Sequence, residues 1–321
     1  MNPYIVLSTS PTFTKYSDKA KKILETHNCQ LVMIPPQELK DNEHFKQVLS
    51  EADAWVVGTN KVRATDLEQA SKLKIIIKHG TGIDSIDLEA AAKRGIIVAN
   101  APGTNASAVA DLTIGLMIAA ARQIVAADKK TRNGFWGPVI GFDVCGKTLG
   151  IIGLGQIGRG VARRARGFQM NILGYDLVHD AEFEKENGIQ PAGLEEILST
   201  ADFITLHLPL TESTRNLIGA RELALMKETA FLINTSRGEL VDEEALLKAL
   251  RNKKIAGAAL DVFQIEPPIN SNLLELENVI VTPHMGGYTY GAMSLTSEIV
   301  AQSIVNVLFG KPPLYEVKLG G

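Results

Sequence analysis

Short runs of apolar and β-branched residues recur along the chain, and amphipathic stretches of helical periodicity lie between them. A continuous apolar run of about four to eight residues indicates a buried strand, whereas apolar positions at helical spacing indicate a helix with one buried face. The N-terminal part of the chain predicts strands at Tyr4–Thr9, Leu31–Ile34, Ala54–Gly58, Lys74–Lys78 and Ile96–Ala99. Helical stretches lie at Ser17–Thr26, Glu43–Leu49 and Leu88–Lys93. This alternation predicts a parallel α/β sheet.

A second set of apolar runs begins near the middle of the chain. Six further strands are expected at Thr148–Gly153, Met170–Tyr175, Phe203–Leu206, Ala230–Asn234, Ala256–Leu260 and Val279–Thr282. Five strands followed by six favour two α/β domains over one large sheet, with a boundary near Ala101–Gly103. The glycine-rich segment Arg132–Lys147 predicts a loop. A helical pattern at Thr289–Phe309 follows the second set and can return to the first domain.

The composition is that of a folded globular protein. Of the 321 residues, 45% are hydrophobic and 21% are charged. At about 150 residues per domain, this length also favours two domains. The net charge of −3 provides no positive field for a nucleic-acid backbone, so we expect no nucleic-acid partner. The two cysteines, Cys29 and Cys145, are too few for a disulfide framework and fit a reducing compartment.

The sequence shows no pattern for export or for a membrane. Its first residues lack the basic and apolar regions of a secretory signal. The most apolar window, Leu112–Ala121, is shorter than the roughly 20 residues of a membrane span and predicts a buried helix. We therefore expect a cytoplasmic protein that does not act at a membrane. The spacing of its histidines, cysteines and acidic residues predicts no metal site.

A glycine-rich turn joins the first strand of the second set to a helical stretch. Its glycines, Gly153, Gly155 and Gly158, form the pattern G-x-G-x-x-G, and Asp176 follows the next expected strand. This context is typical of a dinucleotide site, in which the pyrophosphate lies at the helix N-terminus. A carboxylate at Asp176 accepts hydrogen bonds from the adenosine ribose and repels a 2′-phosphate, so we expect NAD as cofactor. A glycine turn without a ligand is the less favoured alternative.

Three polar residues, Arg237, Glu266 and His284, follow three successive expected strands of the second domain. Ligands bind at the carboxyl ends of parallel strands, so all three are expected near the nicotinamide. Reduction of a 2-oxo acid needs a cation for the carboxylate and ketone, an acid for the forming alkoxide, and a carboxylate that orients this acid. Arg237, His284 and Glu266 fit these roles in that order. Each alone is more often a surface or structural residue, but their joint occurrence after a dinucleotide motif favours catalysis.

The motifs resemble those of the D-isomer-specific 2-hydroxyacid dehydrogenases, and within that family the 3-phosphoglycerate dehydrogenases. The resemblance spans nearly the whole chain and rests on the segments Lys78–Asp84, Asn100–Ala106, Gly153–Gly158, Asn234–Gly238, Ala258–Phe263, Glu266–Pro268 and Pro283–His284. It implies a Rossmann NAD domain of residues 102–287 and a flavodoxin-like substrate domain that combines residues 1–101 with 288–321. It also implies a homodimer with an arm at Phe135–Trp136, and hydride transfer between NAD(H) and a 2-oxo or 2-hydroxy acid.

The resemblance assigns catalysis to Arg237, Glu266 and His284. It implies that a turn presents backbone N–H groups to the substrate carboxylate, and the expected substrate-binding residues are Lys78, His79, Gly80, Thr81, Gly82 and Asn105. The expected cofactor-binding residues are Gly153, Gly155, Gln156, Ile157, Gly158, Asp176, His207, Pro209, Thr235, Ser236, Asp261 and Gly286.

The sequence leaves the substrate open. The 3-phosphoglycerate dehydrogenases often carry arginines for the substrate phosphate where this chain has Gly58, Lys78 and Pro138–Val139, and lysine does not replace a forked guanidinium. D-3-phosphoglycerate, glyoxylate, hydroxypyruvate and other small 2-oxo acids therefore remain candidates. A non-enzymatic NAD(H)-sensing protein is a distant alternative. A formate dehydrogenase is disfavoured because that relative carries an amide at the position of Glu266.

Overall fold

Two parallel sheets, each with its own hydrophobic core, form the two units of the chain. The computed structural model describes residues 2–39 and 42–318. Unit 1 comprises Met1–Asn105 together with Gly287–Gly321, and unit 2 comprises Ala106–Gly286. Both sheets are entirely parallel and carry helices between their strands, which confirms the predicted α/β fold class.

Unit 1 contains five strands: β1 (Tyr4–Ser8), β2 (Cys29–Met33), β3 (Ala54–Val57), β4 (Ile75–Lys78) and β5 (Ile97–Ala99). They form a sheet in the order β2-β1-β3-β4-β5, which is the flavodoxin-like arrangement. The helices between these strands are α1 (Asp18–Thr26), α2 (Glu43–Glu51), α3 (Ala64–Glu68) and α4 (Leu88–Lys93), with a 3₁₀ turn at Pro36–Glu38.

Unit 2 contains seven strands: β6 (Thr148–Ile152), β7 (Asn171–Tyr175), β8 (Ile189–Pro191), β9 (Phe203–Leu206), β10 (Phe231–Asn234), β11 (Gly257–Leu260) and β12 (Val279–Val281). Its helices are α5 (Ala106–Ala121), α6 (Ile124–Arg132), α7 (Gln156–Ala165), α8 (Ala181–Asn187), α9 (Leu194–Thr200), α10 (Ala220–Leu225) and α11 (Glu243–Arg251). Shorter 3₁₀ turns lie at Arg166–Phe168, Gly238–Leu240 and Asn272–Glu275. The last helix, α12 (Tyr290–Leu308), returns to unit 1.

The sheet of unit 2 has the strand order β12-β11-β10-β9-β6-β7-β8, in which the direction of winding reverses between β6 and β9. This is the Rossmann arrangement, and a dinucleotide binds at the carboxyl ends of the strands at that reversal. The sequence predicted six strands here, and the prediction missed β8. This strand has only three residues, ends in Pro191 and lies at the edge of the sheet, so it carries no apolar run of its own.

Both faces of the unit 1 sheet are covered, which explains the uninterrupted apolar strands. Neighbouring residues of a strand point to opposite faces, yet Val6 and Leu7 of β1 are both fully buried. Val6 belongs to the core that includes Leu24 of α1 and Ile304 of α12. Leu7 belongs to the opposite core. The C-terminal helix is therefore an integral part of unit 1.

Among residues 2–39 and 42–318, no single helix is both long and apolar enough to cross a membrane. The consecutive helices α5 and α6 meet the length and composition requirement only as a pair, with a bend of 61° between them. Much of α5 is packed into the core of unit 2, including the fully buried Met117.

Candidate active site

The glycine-rich turn closes tightly between β6 and α7. Gly153 has a φ of 99°, a conformation that L side chains rarely adopt. A Cβ on Gly158 would lie 1.9 Å from the carbonyl oxygen of Gly153, so only glycine allows this approach. By contrast, nothing lies within 4 Å of the position of a Cβ on Gly155, at the start of α7. The open space is where the motif places a pyrophosphate, against the N-terminus of the helix.

Asp176 holds the glycine turn against the end of β7. Its Oδ2 accepts the backbone N–H of Leu154 at 2.6 Å, and its Oδ1 accepts that of Val178 at 3.0 Å. A carboxylate has about four acceptor sites. Two therefore remain for ribose hydroxyls after the backbone bonds are made.

His207 follows β9 and adjoins the glycine turn. Both of its ring nitrogens are shielded from solvent, and neither has a hydrogen-bond partner among residues 2–39 and 42–318. Burial lowers the pKa of His207 to about 3, so the ring is neutral near pH 7. A Cβ on Gly153 would lie 2.6 Å from the carbonyl oxygen of His207. This unpaired imidazole, together with the open space beside Gly155, fits a cleft that receives a polar ligand such as NAD.

Arg237 lies just beyond β10 on a turn that other groups hold in place. The side chain of Asn234 donates to the carbonyl of Arg237 at 2.8 Å and accepts the N–H of Ser236 at 3.0 Å. A Cβ on Gly238 would lie 1.9 Å from the carbonyl carbon of Phe263. The turn after Arg237 therefore packs backbone to backbone against the segment that leads to Glu266. Arg237 itself donates from Nη1 to the carbonyl of Ser236 at 2.8 Å.

Glu266 and His284 form a hydrogen-bonded pair. Nδ1 of His284 lies 2.8 Å from Oε2 of Glu266, and Oε1 of Glu266 accepts the backbone N–H of Phe263 at 3.1 Å. Burial alone raises the pKa of Glu266. The hydrogen bond and charge of His284, the bond from Phe263 and the charge of Arg237 outweigh burial, so the pKa lies below its usual value. Glu266 is therefore a carboxylate near neutral pH.

Asp261 organises the turn that carries His284. The residue is 1% exposed, and its carboxylate accepts the backbone N–H groups of Met285 and Gly286, each at 2.8 Å. The hydroxyl of Thr282 donates to the same carboxylate at 2.5 Å. His284 has a φ of 51°, which a non-glycine residue adopts only when its surroundings impose it. The bonds to Asp261 on both sides of His284 supply that constraint.

In unit 2, several side chains that are expected to contact the cofactor form hydrogen bonds with other groups of the protein. The hydroxyl of Thr235 lies 2.8 Å from that of Thr113 on α5, and the hydroxyl of Ser236 donates to the carbonyl of Leu208. The Asp261 carboxylate is likewise occupied by its own loop. Gln156, Ile157 and Pro209 lie around the glycine turn and after β9, as their sequence positions require.

The expected substrate-binding turn lies in unit 1, after β4. No hydrogen bond of the described residues uses the N–H groups of Gly80, Thr81 or Gly82 as donors. The turn is nevertheless anchored, because Gly80 accepts the N–H of Ala101 at 2.9 Å and Thr81 donates to the side chain of Asn105 at 3.2 Å. Three consecutive N–H groups without acceptors can bind an anion such as a carboxylate.

Lys78 and His79 precede this turn, and both side chains are engaged within unit 1. Nζ of Lys78 donates to the carbonyl of Gly58 at 2.5 Å and to the hydroxyl of Ser85 at 3.2 Å. The His79 ring is buried, with its two nitrogens 2.8 Å and 2.9 Å from the hydroxyls of Ser10 and Ser297. An imidazole held in this way has no ring nitrogen left for a substrate anion.

Three groups that shape the site were not identified by sequence reasoning as structural supports. Asn234 fixes the Arg237 turn, Gly238 permits its contact with Phe263, and Asp261 fixes the His284 turn. Asn234 is the last residue of β10, Gly238 lies in the turn beyond that strand, and Asp261 comes directly after β11. A position at or beyond the end of a strand is therefore the available signal. The direction of a side chain beyond a strand end depends on the neighbouring loops, and a single sequence does not contain that direction.

The chain is similar over most of its length to proteins of known classification. Residues 114–286 match the family described as D-isomer specific 2-hydroxyacid dehydrogenase, NAD binding domain. A glyoxylate reductase of Korarchaeum cryptofilum is 45% identical over 262 residues, which are 79% of each chain. The crystal structure of a D-lactate dehydrogenase from Aquifex aeolicus, complexed with NAD and lactic acid, has a TM-score of 0.82 and is 28% identical, covering 95% of this chain and 96% of that one.

A D-3-phosphoglycerate dehydrogenase of Methanocaldococcus jannaschii is 46% identical over 273 residues, which are 84% of this chain and 52% of that protein. The chain thus spans about half the length of this relative. Together with the fold, these similarities show that the chain belongs to the D-isomer-specific 2-hydroxyacid dehydrogenases. It is an NAD-dependent oxidoreductase that acts on the hydroxyl group of 2-hydroxy acids, so the predicted family, cofactor and enzyme class are confirmed.

Proposed function

We propose that this enzyme reduces small, unphosphorylated 2-oxo acids such as glyoxylate and hydroxypyruvate, and oxidises the corresponding 2-hydroxy acids in reverse. The observation that carries the proposal is the hydrogen bond from Lys78 to the carbonyl of Gly58. These are two of the positions at which the 3-phosphoglycerate dehydrogenases often carry arginines for the phosphate. In this chain Gly58 has no side chain, and the ammonium group of Lys78 donates to the carbonyl of Gly58.

The space around Gly58 also disfavours a phosphate-binding side chain. A Cβ there would lie 3.2 Å from both the Cα of Ser10 and the carbonyl oxygen of Thr9. Because both neighbours are backbone atoms, a larger residue would have to displace the chain that follows β1. The ammonium group of Lys78 donates hydrogen bonds to the carbonyl of Gly58 and to the hydroxyl of Ser85. If Lys78 bound a substrate phosphate, these two bonds would be broken. A substrate with only one carboxylate needs neither change.

The proposed chemistry assigns a role to groups within each unit. In unit 1, the N–H groups of Gly80, Thr81 and Gly82 are the proposed binding groups for a carboxylate. In unit 2, Arg237 is the proposed group that polarises a ketone. When bound, NADH supplies the hydride. His284 gives its proton to the forming alkoxide from Nε2, because Nδ1 is directed at Glu266. The Glu266 carboxylate orients the ring. In the oxidative direction, the neutral ring of His284 accepts the proton.

D-3-phosphoglycerate is the second candidate substrate, and the similarity to the Methanocaldococcus jannaschii enzyme favours it. Hydroxypyruvate and 3-phosphohydroxypyruvate form a suitable test pair because they differ only in the phosphate. We expect kcat/KM for NADH oxidation to favour hydroxypyruvate by about tenfold or more, since a phosphate without a cationic partner loses hydration without compensation. A preference for the phosphorylated acid that disappears in Lys78→Ala would contradict the proposal and establish the second candidate.

We also propose that the enzyme is a homodimer in the cytoplasm, joined through the segment after α6. Trp136 is 92% exposed and Ile140 is 80% exposed, and Phe135 adds a half-exposed ring. Adjacent exposed apolar residues of this size are typical of a protein interface.

Light scattering after gel filtration should give twice the 34.7 kDa chain mass for the wild type and a lower mass for Trp136→Ser at low concentration. Tyr290→Ser, at another exposed aromatic residue, should remain dimeric; a monomeric wild type would refute this proposal.

A further inference from the structure

We propose that His79 is a positioning residue, whose imidazole joins Ser10 and Ser297 and thereby holds the Gly80–Gly82 turn in the shape that binds a carboxylate. The inference rests on the proposed function for the role of the turn. It assigns His79 a function other than the direct substrate contact expected from the sequence. We refer to Ser10, His79 and Ser297 below as the histidine clamp.

The clamp is buried and geometrically complete. Nδ1 of His79 lies 2.8 Å from the Ser10 hydroxyl and Nε2 lies 2.9 Å from the Ser297 hydroxyl, while His79 is 8%, Ser10 3% and Ser297 0% exposed. The ring also meets Phe13 edge to face, with 5.6 Å between the ring centroids. Hydrogen bonds at both nitrogens and an aromatic contact at its side fix the orientation of the imidazole.

The three members of the clamp come from distant parts of the chain. Ser10 follows β1, His79 follows the last residue of β4, and Ser297 lies in α12. The backbone N–H of His79 donates to the carbonyl of Val57, which continues the pairing between β3 and β4 by one residue. His79 is thus the last fixed residue before the turn begins at Gly80, whose φ of 155° is accessible to few residues other than glycine.

The charge state of the ring supports this role. Burial, assisted by the charge of Lys78, lowers the pKa of His79 to about 4. The ring is therefore neutral near pH 7, with one nitrogen that donates and one that accepts. Serine hydroxyls can serve as either partner, so both bonds form without placing a charge inside unit 1. A cationic ring would repel Lys78 and would have no acceptor capacity.

Removal of one clamp bond should loosen the turn without disturbing unit 2. Ser297→Ala deletes a single hydroxyl. His79→Phe retains an aromatic ring but removes the bonds to both the Ser10 and the Ser297 hydroxyls. Ser303→Ala is the matched control. Ser303 is also fully buried in α12, but its hydroxyl accepts the N–H of Leu314, away from the turn. All four proteins are compared as full chains.

We expect Ser297→Ala and His79→Phe to raise KM for glyoxylate or hydroxypyruvate about tenfold, with kcat and NADH affinity little changed. The turn binds the carboxylate equally in the ground and transition states, so its loss acts on KM. Exchange of the Ala101 amide, which donates to Gly80, should accelerate in both variants. Ser303→Ala should change neither quantity, even where it lowers the melting temperature.

An unchanged KM and an unchanged Ala101 exchange rate in the clamp variants would overturn the inference, as would equal changes in Ser303→Ala. The amide exchange needs no substrate, so it separates the two proposals. A wild type that is inactive on 2-oxo acids would contradict the proposed function. The proposal for the histidine clamp would then be tested by the exchange rate of the Ala101 amide alone. Faster exchange in Ser297→Ala would support the proposal, and exchange at the wild-type rate would refute it.

Discussion

Nδ1 of His284 lies 2.8 Å from Oε2 of Glu266, and the second oxygen of Glu266 is held by the backbone of Phe263. This hydrogen bond determines which nitrogen of the imidazole is available for proton transfer. With Nδ1 directed at the carboxylate, only Nε2 is left to exchange a proton with a substrate. The Glu266 carboxylate at the same time holds the ring in this orientation.

The replacement Glu266→Gln tests this pairing. Glutamine retains the size of the side chain but cannot balance a charged imidazole, so we expect kcat for reduction to fall about 10²-fold. Steady-state rates at a saturating concentration of hydroxypyruvate measure this effect. Glu275→Gln, on an exposed ion pair with Arg251, is the control, and equal values of kcat for the two variants would contradict the assignment.

Asp261→Asn tests the support of the His284 turn. An amide has a single acceptor oxygen, so at least one of the bonds from Met285 and Gly286 is lost inside the protein. We expect the free energy of unfolding to fall by about 1–3 kcal/mol. Because His284 is held at a φ of 51°, kcat should fall as well, while KM changes less. Urea titration and initial rates measure these quantities; a stable variant with wild-type kcat would show that the turn holds itself.

Asp176→Asn tests the choice of cofactor. The amide removes the charge that repels a 2′-phosphate and weakens the bonds to Leu154 and Val178. The ratio of kcat/KM for NADH over NADPH should therefore narrow by about tenfold. Asp180→Asn is a nearby control, since Asp180 pairs with Arg159 rather than with the glycine turn. If the ratio of kcat/KM for NADH over NADPH is unchanged in Asp176→Asn, Asp176 does not determine cofactor selectivity.

The strands, the glycine turn and the three polar residues after β10, β11 and β12 followed from the sequence because local patterns specify them. Phe203–Leu206 is an apolar run whose observed bounds equal the predicted ones. The short strand β8 has no such pattern. The sequence also did not predict that the side chains of Asp261 and Thr235 form hydrogen bonds within the protein. Their partners come from loops and helices that are distant in the chain. His79 is the clearest example, since Ser10 and Ser297 are brought to it only by the completed fold of unit 1.

Buried neutral histidines also predict sensitivity to acid. The pKa of His79 is lowered by burial and by Lys78 to about 4 in the folded protein, against about 6.5 when unfolded. The unfolded chain therefore binds the proton first, and the free energy of unfolding falls as the pH drops from about 6.5 toward 4. Between pH 7 and pH 5, His79→Phe should lose about 2 kcal/mol less than the wild type in urea titrations. His44→Gln, at an exposed residue, should follow the wild type, and a shared pH dependence for all three proteins would contradict this prediction.

The proton transfer assigned to His284 is tested most directly by the rate of NADH oxidation with saturating hydroxypyruvate in His284→Ala, measured together with the dissociation constant of NADH. We predict that kcat falls by about 10²–10⁴-fold while NADH affinity stays nearly unchanged. His179→Ala is the matched control, because His179 also bonds a glutamate of unit 2, with Nδ1 3.0 Å from Glu184, and it should retain wild-type turnover. A His284→Ala enzyme that turns over at a rate near that of the wild type would contradict the account.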